Sequence, residues 1–182
     1  MANITWLPVK GSNWNTGTNW SGAAVPGVAD TAIINGGSQV QTITYNVASS
    51  TIDALSLGGG TFTQTLALGA NTLNVTNNAS LTTLGVITLA GGLLSAGTIT
   101  NNGKISGSGT VTGDMSGTGS VSVSAAGTIN LSNDDNVDGL TFTFAGATGT
   151  LNFGTAKAEQ PLFCKFPRGV SFGSIAQASM VR

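Results

Sequence analysis

The sequence predicts an all-β chain that coils into a β-solenoid, and three observations support this prediction. Glycine and a branched aliphatic recur together every six residues between positions 85 and 111. The units are Gly85-Val86-Ile87, Gly91-Gly92-Leu93, Gly97-Thr98-Ile99, Gly103-Lys104-Ile105 and Gly109-Thr110-Val111, and Ala79-Ser80-Leu81 extends the register backwards. Elsewhere, short alternating runs of apolar and polar residues end in Gly, Asn-Asn or Ala-Gly, which is typical of strands. No stretch combines a helical apolar period with helix caps, so almost no helix is expected.

The six-residue period predicts which side chains form the core. Six is an even number, so in extended chain the aliphatics of successive units can all face one way. Each glycine would let the backbone bend where a strand ends. We therefore expect the hexads to stack as successive strands. The expected inward side chains are Leu81, Ile87, Leu93, Ile99, Ile105 and Val111.

The length of the repeat region predicts the number of coils. At ~18 to 25 residues per coil, residues 40–153 are long enough for about five or six coils. A right-handed β-helix is the favoured form. A left-handed hexapeptide solenoid is the alternative, and it is weakened because the glycine of such repeats normally follows the aliphatic directly.

Composition divides the chain into three parts. Residues 1–39 hold all three tryptophans, Trp6, Trp14 and Trp20, among Gly, Asn, Ser and Thr. We interpret this part as an aromatic cap over the N-terminal end of the solenoid. The alternative is a platform of indole rings on which sugars stack. Residues 40–154 are the solenoid repeats, and residues 155–182 form a distinct C-terminal tail for docking or capping.

The tail differs from the rest of the chain in charge and in aromatic content. It holds four of the six cations and three phenylalanines. Either it closes the last coil, or it docks onto another subunit, because interface centres favour aromatics and arginine. The predicted partner-binding residues are Phe163, Phe166, Arg168 and Phe172. The expected partner is a protein, in a homo-oligomer or a capsid-type lattice, and a glycan is the alternative.

The charge of the chain excludes some classes of partner. Only 7% of the residues are charged and the formal net charge is -1. The scarcity of Lys and Arg argues against nucleic acid, because affinity for phosphate comes mostly from clustered cations. No segment approaches the ~20 consecutive apolar residues of a membrane helix. The start of the chain has neither the basic region nor the apolar run of a secretory signal.

The residue types that catalysis needs are scarce. The chain has no His, which removes Ser-His and Cys-His activation and the usual zinc ligands. The lone Cys164 cannot form an intramolecular disulfide and has no recognisable catalytic partner. We therefore predict no catalytic residue and no cofactor.

One segment matches the opening of a calcium loop. Asp134, Asn136 and Asp138 place oxygen ligands at alternating positions, and Gly139 follows for the turn. The closing acidic ligand would fall at Ala145, which cannot coordinate. The sequence therefore predicts a weak calcium site at best, and a solvated turn is the favoured interpretation.

The opening of the chain resembles that of a known family. It reads Trp6, Gly11-Ser12-Asn13-Trp14-Asn15, Asn19-Trp20-Ser21, Val25-Pro26-Gly27 and Asp30-Thr31-Ala32. This resembles the tryptophan-rich module that precedes glycine-rich repeats in bacterial autotransporter-type surface proteins, and residues 97–113 resemble their passenger repeats. The resemblance covers residues 3–153 and implies a right-handed β-solenoid with a structural, adhesive or display role.

The same modules are similar to parts of tailed-phage virion proteins. Autotransporter-type proteins carry an export signal, which this sequence does not show, so a virion is the favoured setting. The expected function is a non-enzymatic decoration, cement or fibre-type component that docks through its tail. The alternative is an adhesive module at the bacterial surface or outside the cell. A polysaccharide-processing β-helix enzyme is disfavoured, because only Lys10 and Lys104 are basic before the tail.

Overall fold

The structure, a computed structural model, describes residues 1–8, 11–132, 137 and 139–154. Over these residues it contains a 13-stranded sheet and two short 3-10 helices, Gly17–Asn19 and Ser21–Ala23. The strands are β1 (Asn3–Thr5), β2 (Thr31–Ile34), β3 (Gln41–Thr44), β4 (Ser49–Ile52), β5 (Ala54–Leu57), β6 (Gln64–Gly69), β7 (Thr72–Leu81), β8 (Gly85–Asn101), β9 (Lys104–Ser116), β10 (Ser120–Val123), β11 (Thr128–Ser132), β12 (Thr141–Phe144) and β13 (Thr150–Phe153). The all-β prediction is confirmed.

The strands pair in parallel and stack on three faces. Face A consists of β3, β6, the first parts of β8 and β9, then β10 and β12. Face B consists of β4, the first part of β7, the middles of β8 and β9, then β11 and β13. Face C consists of β1, β2, β5 and the last parts of β7, β8 and β9. The chain is therefore a three-sided parallel β-solenoid of about six turns, as the repeats predict.

The offset between paired residues gives the length of each coil. More residues of sequence lie between Gln41 and its partner Gln64 than between Lys104 and its partner Ser120, so the coil that starts at Gln41 is the longer one. Where the hexads run, Ile87 pairs with Ile105, and the units that end at Leu93 and Ile99 lie between them. A coil built from hexads is therefore three hexads long.

The core is one continuous apolar cluster that extends from Trp6 to Leu151. Parallel stacking places each inward side chain directly on the inward side chain of the next coil, as Ile87 lies on Ile105. The inward prediction is confirmed for five hexad aliphatics, each at most 1% exposed: Leu81, Ile87, Ile99, Ile105 and Val111.

The sixth predicted core residue, Leu93, does not point inward. Leu93 is half-buried, and its neighbour Leu94 is fully buried instead. At the corner between faces A and B, Ala90 and Gly91 are both exposed, and the register with β9 shifts between Ala90 and Leu93. Because two consecutive residues face outward there, the alternation of inward and outward side chains inverts. The six-residue period, which assumes unbroken alternation, therefore predicts Leu93 as the inward residue instead of Leu94.

Successive hexads also do not stack on one another, contrary to the prediction. The hexad that ends at Ile87 lies on face A, and the next two lie on faces B and C. Each six-residue repeat spans one face and the corner that follows it, so three repeats close a coil. The hexad that stacks on Ile87 is the one that ends at Ile105, three units later.

The glycines before face A are required by close approach of the backbone rather than by bending. A Cβ on Gly103 would lie 2.1 Å from the carbonyl oxygen of Gly85, and a Cβ on Gly119 would lie 2.4 Å from that of Gly103. Those distances leave no room for a side chain between neighbouring coils. The predicted bending role fits other corners, such as Gly91, whose φ is +91°.

Candidate functional site

The residues predicted to bind a partner or a metal lie outside the described part of the chain. They are Phe163, Phe166, Arg168 and Phe172 of the tail, and Asp134, Asn136 and Asp138 of the calcium loop. The structure does describe what adjoins both segments. Val137 packs against the core, and β13 leads the chain to Gly154, after which the tail begins. The candidate site is therefore built from the last described coil.

The terminal coil, residues 139–154, is the end of the sheet from which the tail begins. Among the described residues, β12 pairs only with β10, and β13 pairs only with β11. The N–H of Gly154 still donates to the carbonyl of Leu131, at 2.5 Å. The tail therefore begins at a sheet edge that no described strand covers.

The inward side chains of the terminal coil are more exposed than those one coil earlier. Val123 is fully buried, whereas Phe144, its partner in the register, is 36% exposed. On face B, Leu131 is buried and its partner Phe153 is only half-buried. In every earlier coil, the next coil covers the equivalent apolar side chains. At this end, the described residues leave that apolar surface exposed.

The backbone of β12 also presents groups at this edge that no described strand pairs. The N–H groups of Thr141 and Ala145 donate towards β10, to the carbonyls of Gly119 and Val123. In a parallel ladder, alternate residues direct their N–H and C=O to opposite sides. Phe144 therefore directs both groups away from β10. An edge of this kind is a template for another strand.

The terminal coil lacks the residues that usually protect a sheet edge. Natural edges are blocked by charged side chains, above all Lys, or by Pro. Residues 139–154 include no charged residue and no Pro. This end of the solenoid is chemically suited to being covered by another segment of protein.

The opposite end of the solenoid is closed by an aromatic cluster. Trp6 and Trp14 pack edge to face on Trp20, with ring centroids 4.9 and 4.8 Å apart, and Trp14 also packs on Tyr45 at 5.2 Å. All four side chains are at most 1% exposed. The aromatic cap is confirmed. No indole face of this cluster is exposed for a sugar to stack on. The three tryptophans therefore do not support the alternative interpretation of a sugar-stacking platform.

Hydrogen bonds fix the orientation of two of these indoles. Trp20 Nε1 donates to the carbonyl of Trp14 at 2.7 Å, and Trp6 Nε1 donates to Gln41 Oε1 at 3.1 Å. Trp14 Nε1 is buried and has no hydrogen-bond partner among the described residues. The indoles of Trp6 and Trp20 therefore contribute hydrogen bonds to the cap, whereas the indole of Trp14 contributes ring packing.

Tyr45 links the cap to the first full coil. Its hydroxyl donates to the carbonyl of Thr72 at 2.9 Å and lies 2.7 Å from Ser50 Oγ. Since the carbonyl can only accept, the phenol proton points to Thr72 and the Ser50 hydroxyl donates to the phenol oxygen. Burial raises the pKa of Tyr45, and the hydrogen bonds with Ser50 partly oppose that rise.

Within the described residues, the acidic side chains on the corners hold turns. Asp30 accepts hydrogen bonds from the N–H of Gly27 at 3.0 Å and from that of Ala2 at 3.2 Å. Asp53 accepts one from Asn77 Nδ2 at 2.8 Å. These contacts give both carboxylates a structural role.

The described residues contain neither a metal-binding cluster nor a membrane-spanning helix. Over residues 1–8, 11–132, 137 and 139–154, no three His, Cys, Asp or Glu side chains lie close enough together to hold a metal ion. In the same part of the chain, no helix is long and apolar enough to cross a membrane.

The flanks carry ladders of uncharged polar side chains that the sequence did not reveal. On face B, Thr112 Oγ1 and Ser132 Oγ lie 2.9 Å apart, and Asn152 Nδ2 donates to Asn130 Oδ1 at 2.8 Å. The partners of each rung lie in different coils, far apart in sequence, and their spacing changes from one pair of coils to the next. Only the register of the coils could have identified these ladders.

These features define a class of protein: a parallel β-solenoid with an aromatic cap at its N-terminal end and, at the last described coil, an edge that no described strand covers. The chain matches no protein-family model, no curated protein and no solved structure.

Proposed function

We propose that the chain is a non-enzymatic structural component of a larger protein assembly, which it joins through its C-terminal end. The contrast between the two ends carries this proposal. The tryptophans of the cap are at most 1% exposed, whereas Phe144 of the terminal coil is 36% exposed. Apolar surface next to an open sheet edge favours contact with other protein, and the tail that begins there carries Phe163, Phe166, Arg168 and Phe172.

The placement of charge supports a structural rather than a catalytic role. The carboxylates of Asp30 and Asp53 are held by N–H donors at turns of the solenoid. The chain contains no His to act as a general base. Hydrolysis or elimination on a polysaccharide would need acid and base groups brought together in one groove.

We propose a phage virion as the assembly, with the chain as a decoration, cement or fibre-type component. The support is the resemblance of the tryptophan-rich opening and the repeats to modules of tailed-phage virion proteins. The continuous core from Trp6 to Leu151 is also suited to a stiff spacer, because each coil is held by its neighbours.

The polar ladders on the flanks favour a second candidate function. Pairs such as Thr112 with Ser132, and Asn130 with Asn152, present uncharged hydroxyl and amide groups in rows. Such groups can exchange hydrogen bonds with sugar hydroxyls. On this alternative, the chain is an adhesive module that binds glycan through its flank at the bacterial surface or outside the cell.

The decisive experiment compares the full chain with a chain truncated after Gly154, both tagged at the N-terminus and expressed in the bacterium that carries the gene. We expect the full chain to sediment with nuclease-resistant particles that contain packaged DNA. The truncated chain should remain in the supernatant with its β-sheet circular dichroism retained, because the docking residues are gone.

A matched pair of variants separates docking from general loss of apolar surface. The triple variant Phe163→Ala, Phe166→Ala and Phe172→Ala should no longer sediment with the particles. The control is Val28→Ala, Val40→Ala and Phe62→Ala, which removes exposed apolar side chains outside the tail and should sediment normally. Sedimentation of the truncated chain would contradict the docking proposal. Tight binding of a monomer to immobilised glycans, unaffected by truncation, would favour the adhesive module.

The non-enzymatic part of the proposal has its own test. Incubation with bacterial polysaccharides, with and without calcium, should release no reducing or unsaturated ends. Calcium-dependent release that disappears on substitution of Asp134 and Asp138 by Asn would overturn it and would establish a calcium-dependent enzyme instead.

A further inference from the structure

We propose that residues 155–182 pack across the terminal coil of their own chain and cover the edge formed by β12 and β13. The contact lies within one chain, so it is independent of the proposed docking to a partner. It would give the solenoid a second cap, at the end opposite the tryptophan cluster.

The terminal coil has the defects that a cap removes. A solenoid whose last coil is uncovered exposes both its core and a row of backbone groups. In the described part of the chain, Phe144 is 36% exposed where Val123, one coil earlier, is 0% exposed. The N–H and C=O of Phe144 point away from β10, towards the same uncovered side. One covering segment would answer both defects.

The tail is the segment best placed to cover this end. It follows directly after Gly154, whose N–H donates to the carbonyl of Leu131 in the ladder. The tail, 155–182, is longer than the stretch that separates Gln41 from its partner Gln64 in the next coil, so it is long enough to cross the end once. A segment joined to its site competes at a high effective concentration against any separate chain.

The composition of the tail also suits a cap. It carries apolar side chains beyond the proposed docking residues, among them Leu162, Val170 and Ile175, so covering and docking can use different ones. It also carries charges, such as Lys157 and Glu159, that the terminal coil lacks. A charged segment laid on the edge would stop further strands from adding.

The test uses a tryptophan reporter in the full chain. The three natural tryptophans are at most 1% exposed, so acrylamide reaches an added indole in preference to them. In Phe144→Trp, we expect the added indole to be quenched severalfold less than in Phe62→Trp, a control at a site of similar exposure, 39%. In chains truncated after Gly154, acrylamide should quench the two added indoles to a similar extent. Equal quenching of the two reporters in the full chain would overturn the proposal.

A second measurement does not depend on any substitution. Amide hydrogen exchange of β12 and β13 should become at least about tenfold faster after truncation, while exchange of β8 stays unchanged. Unchanged exchange in β12 and β13 would overturn the proposal, and so would shielding of the Phe144→Trp reporter that vanishes on dilution, because a second copy would then be the cover. Both measurements use the isolated protein, so a failure of the sedimentation experiment leaves their outcome unaffected.

Discussion

An inward side chain in this solenoid is stacked between the side chains directly above and below it in neighbouring coils. Ile105 lies between Ile87 and Val121 in the register of face A, and all three are fully buried. The same column ends at Phe142, which has a described neighbour on one side only and is 5% exposed. The effect of a substitution therefore depends on its column and on its coil more than on its neighbours in sequence.

Leu93 and Leu94 provide a matched pair for testing this at the residue scale. Leu94→Ala should lower the free energy of unfolding by about 2–5 kcal/mol, because it leaves a cavity in a fully buried column. Leu93→Ala should cost less than about 1 kcal/mol, because its side chain is half-buried on the outside of face B. Urea denaturation followed by circular dichroism measures both. Equal costs would contradict the assignment of Leu94 to the core.

Tyr45 should make stability depend on pH at the alkaline end. Burial raises the pKa of its phenol above the usual value near 10, so the unfolded chain ionises first. The free energy of unfolding should be unaffected by this group below about pH 10 and should fall as the pH rises through the raised pKa. Tyr45→Phe should remove that component of the fall and, at lower pH, cost about 1 kcal/mol for the lost hydrogen bonds.

The difference between the two pH profiles isolates the contribution of the Tyr45 phenol from that of every other ionisable group in the chain. Tyr45 is the one tyrosine of the chain, so its ionisation can also be followed by tyrosinate absorbance in the folded protein. Identical alkaline profiles for the two proteins would contradict the raised pKa.

At the scale of the structural element, the cap is held by ring packing with hydrogen bonds at its margins. The segment from Ser12 to Trp14 runs beside β3, where the N–H of Trp14 donates to the carbonyl of Thr44 at 2.9 Å and the N–H of Thr44 bonds back to Ser12 at 2.6 Å. This pairing covers the first edge of face A. The cap thus satisfies backbone groups that would otherwise be exposed, and its indoles cover the core.

The two indoles at the centre of the cap should differ in their cost of replacement. Trp20→Phe removes the donor of the bond to the carbonyl of Trp14 and leaves that carbonyl buried and unpaired. Trp14→Phe removes an N–H that has no hydrogen-bond partner among the described residues. We expect Trp20→Phe to be the more destabilising by about 1–3 kcal/mol, measured by urea denaturation. A larger cost for Trp14→Phe would indicate that its Nε1 does have a partner.

At the scale of the whole molecule, the solenoid is a linear stack in which each coil contacts the coil on either side. The residue pairs of face A, such as Val86 with Lys104, define a unit that can be removed without changing the register of the remaining coils. Stability in such a stack is roughly a sum of coil and interface contributions.

Deleting one whole coil should therefore leave a folded protein. Removal of 86–103 joins Gly85 to Lys104, so that Lys104 takes the place of Val86, its partner in the register. We expect a cooperative, shorter solenoid with a reduced free energy of unfolding. The control is removal of 86–94, which takes out half a coil and should abolish folding because later strands would fall on the wrong faces. Circular dichroism and thermal denaturation compare the two, and equal behaviour would contradict the stacked architecture.

The sequence by itself determined the features that arise from local alternation and composition. The hexads predicted strands and a solenoid core, and Ile87, Ile99 and Ile105 are buried as expected because inward positions in a strand recur at even spacing. The three tryptophans predicted a cap, since large aromatics among turn residues do not follow the repeat pattern and suit a segment that covers the end of a solenoid. The tail stood apart through its charge and its phenylalanines.

The tertiary structure decided what depends on the corners. Whether Leu93 or Leu94 enters the core depends on two consecutive outward residues at Ala90 and Gly91, and both registers are locally acceptable for that run of Gly and Leu. The buried Asn101 was likewise unpredictable, because its amide donates to the carbonyl of Ser120, which lies in the next coil. Such contacts depend on which residues of neighbouring coils lie opposite each other. That register is set by the number of residues in the whole coil, which no single hexad determines.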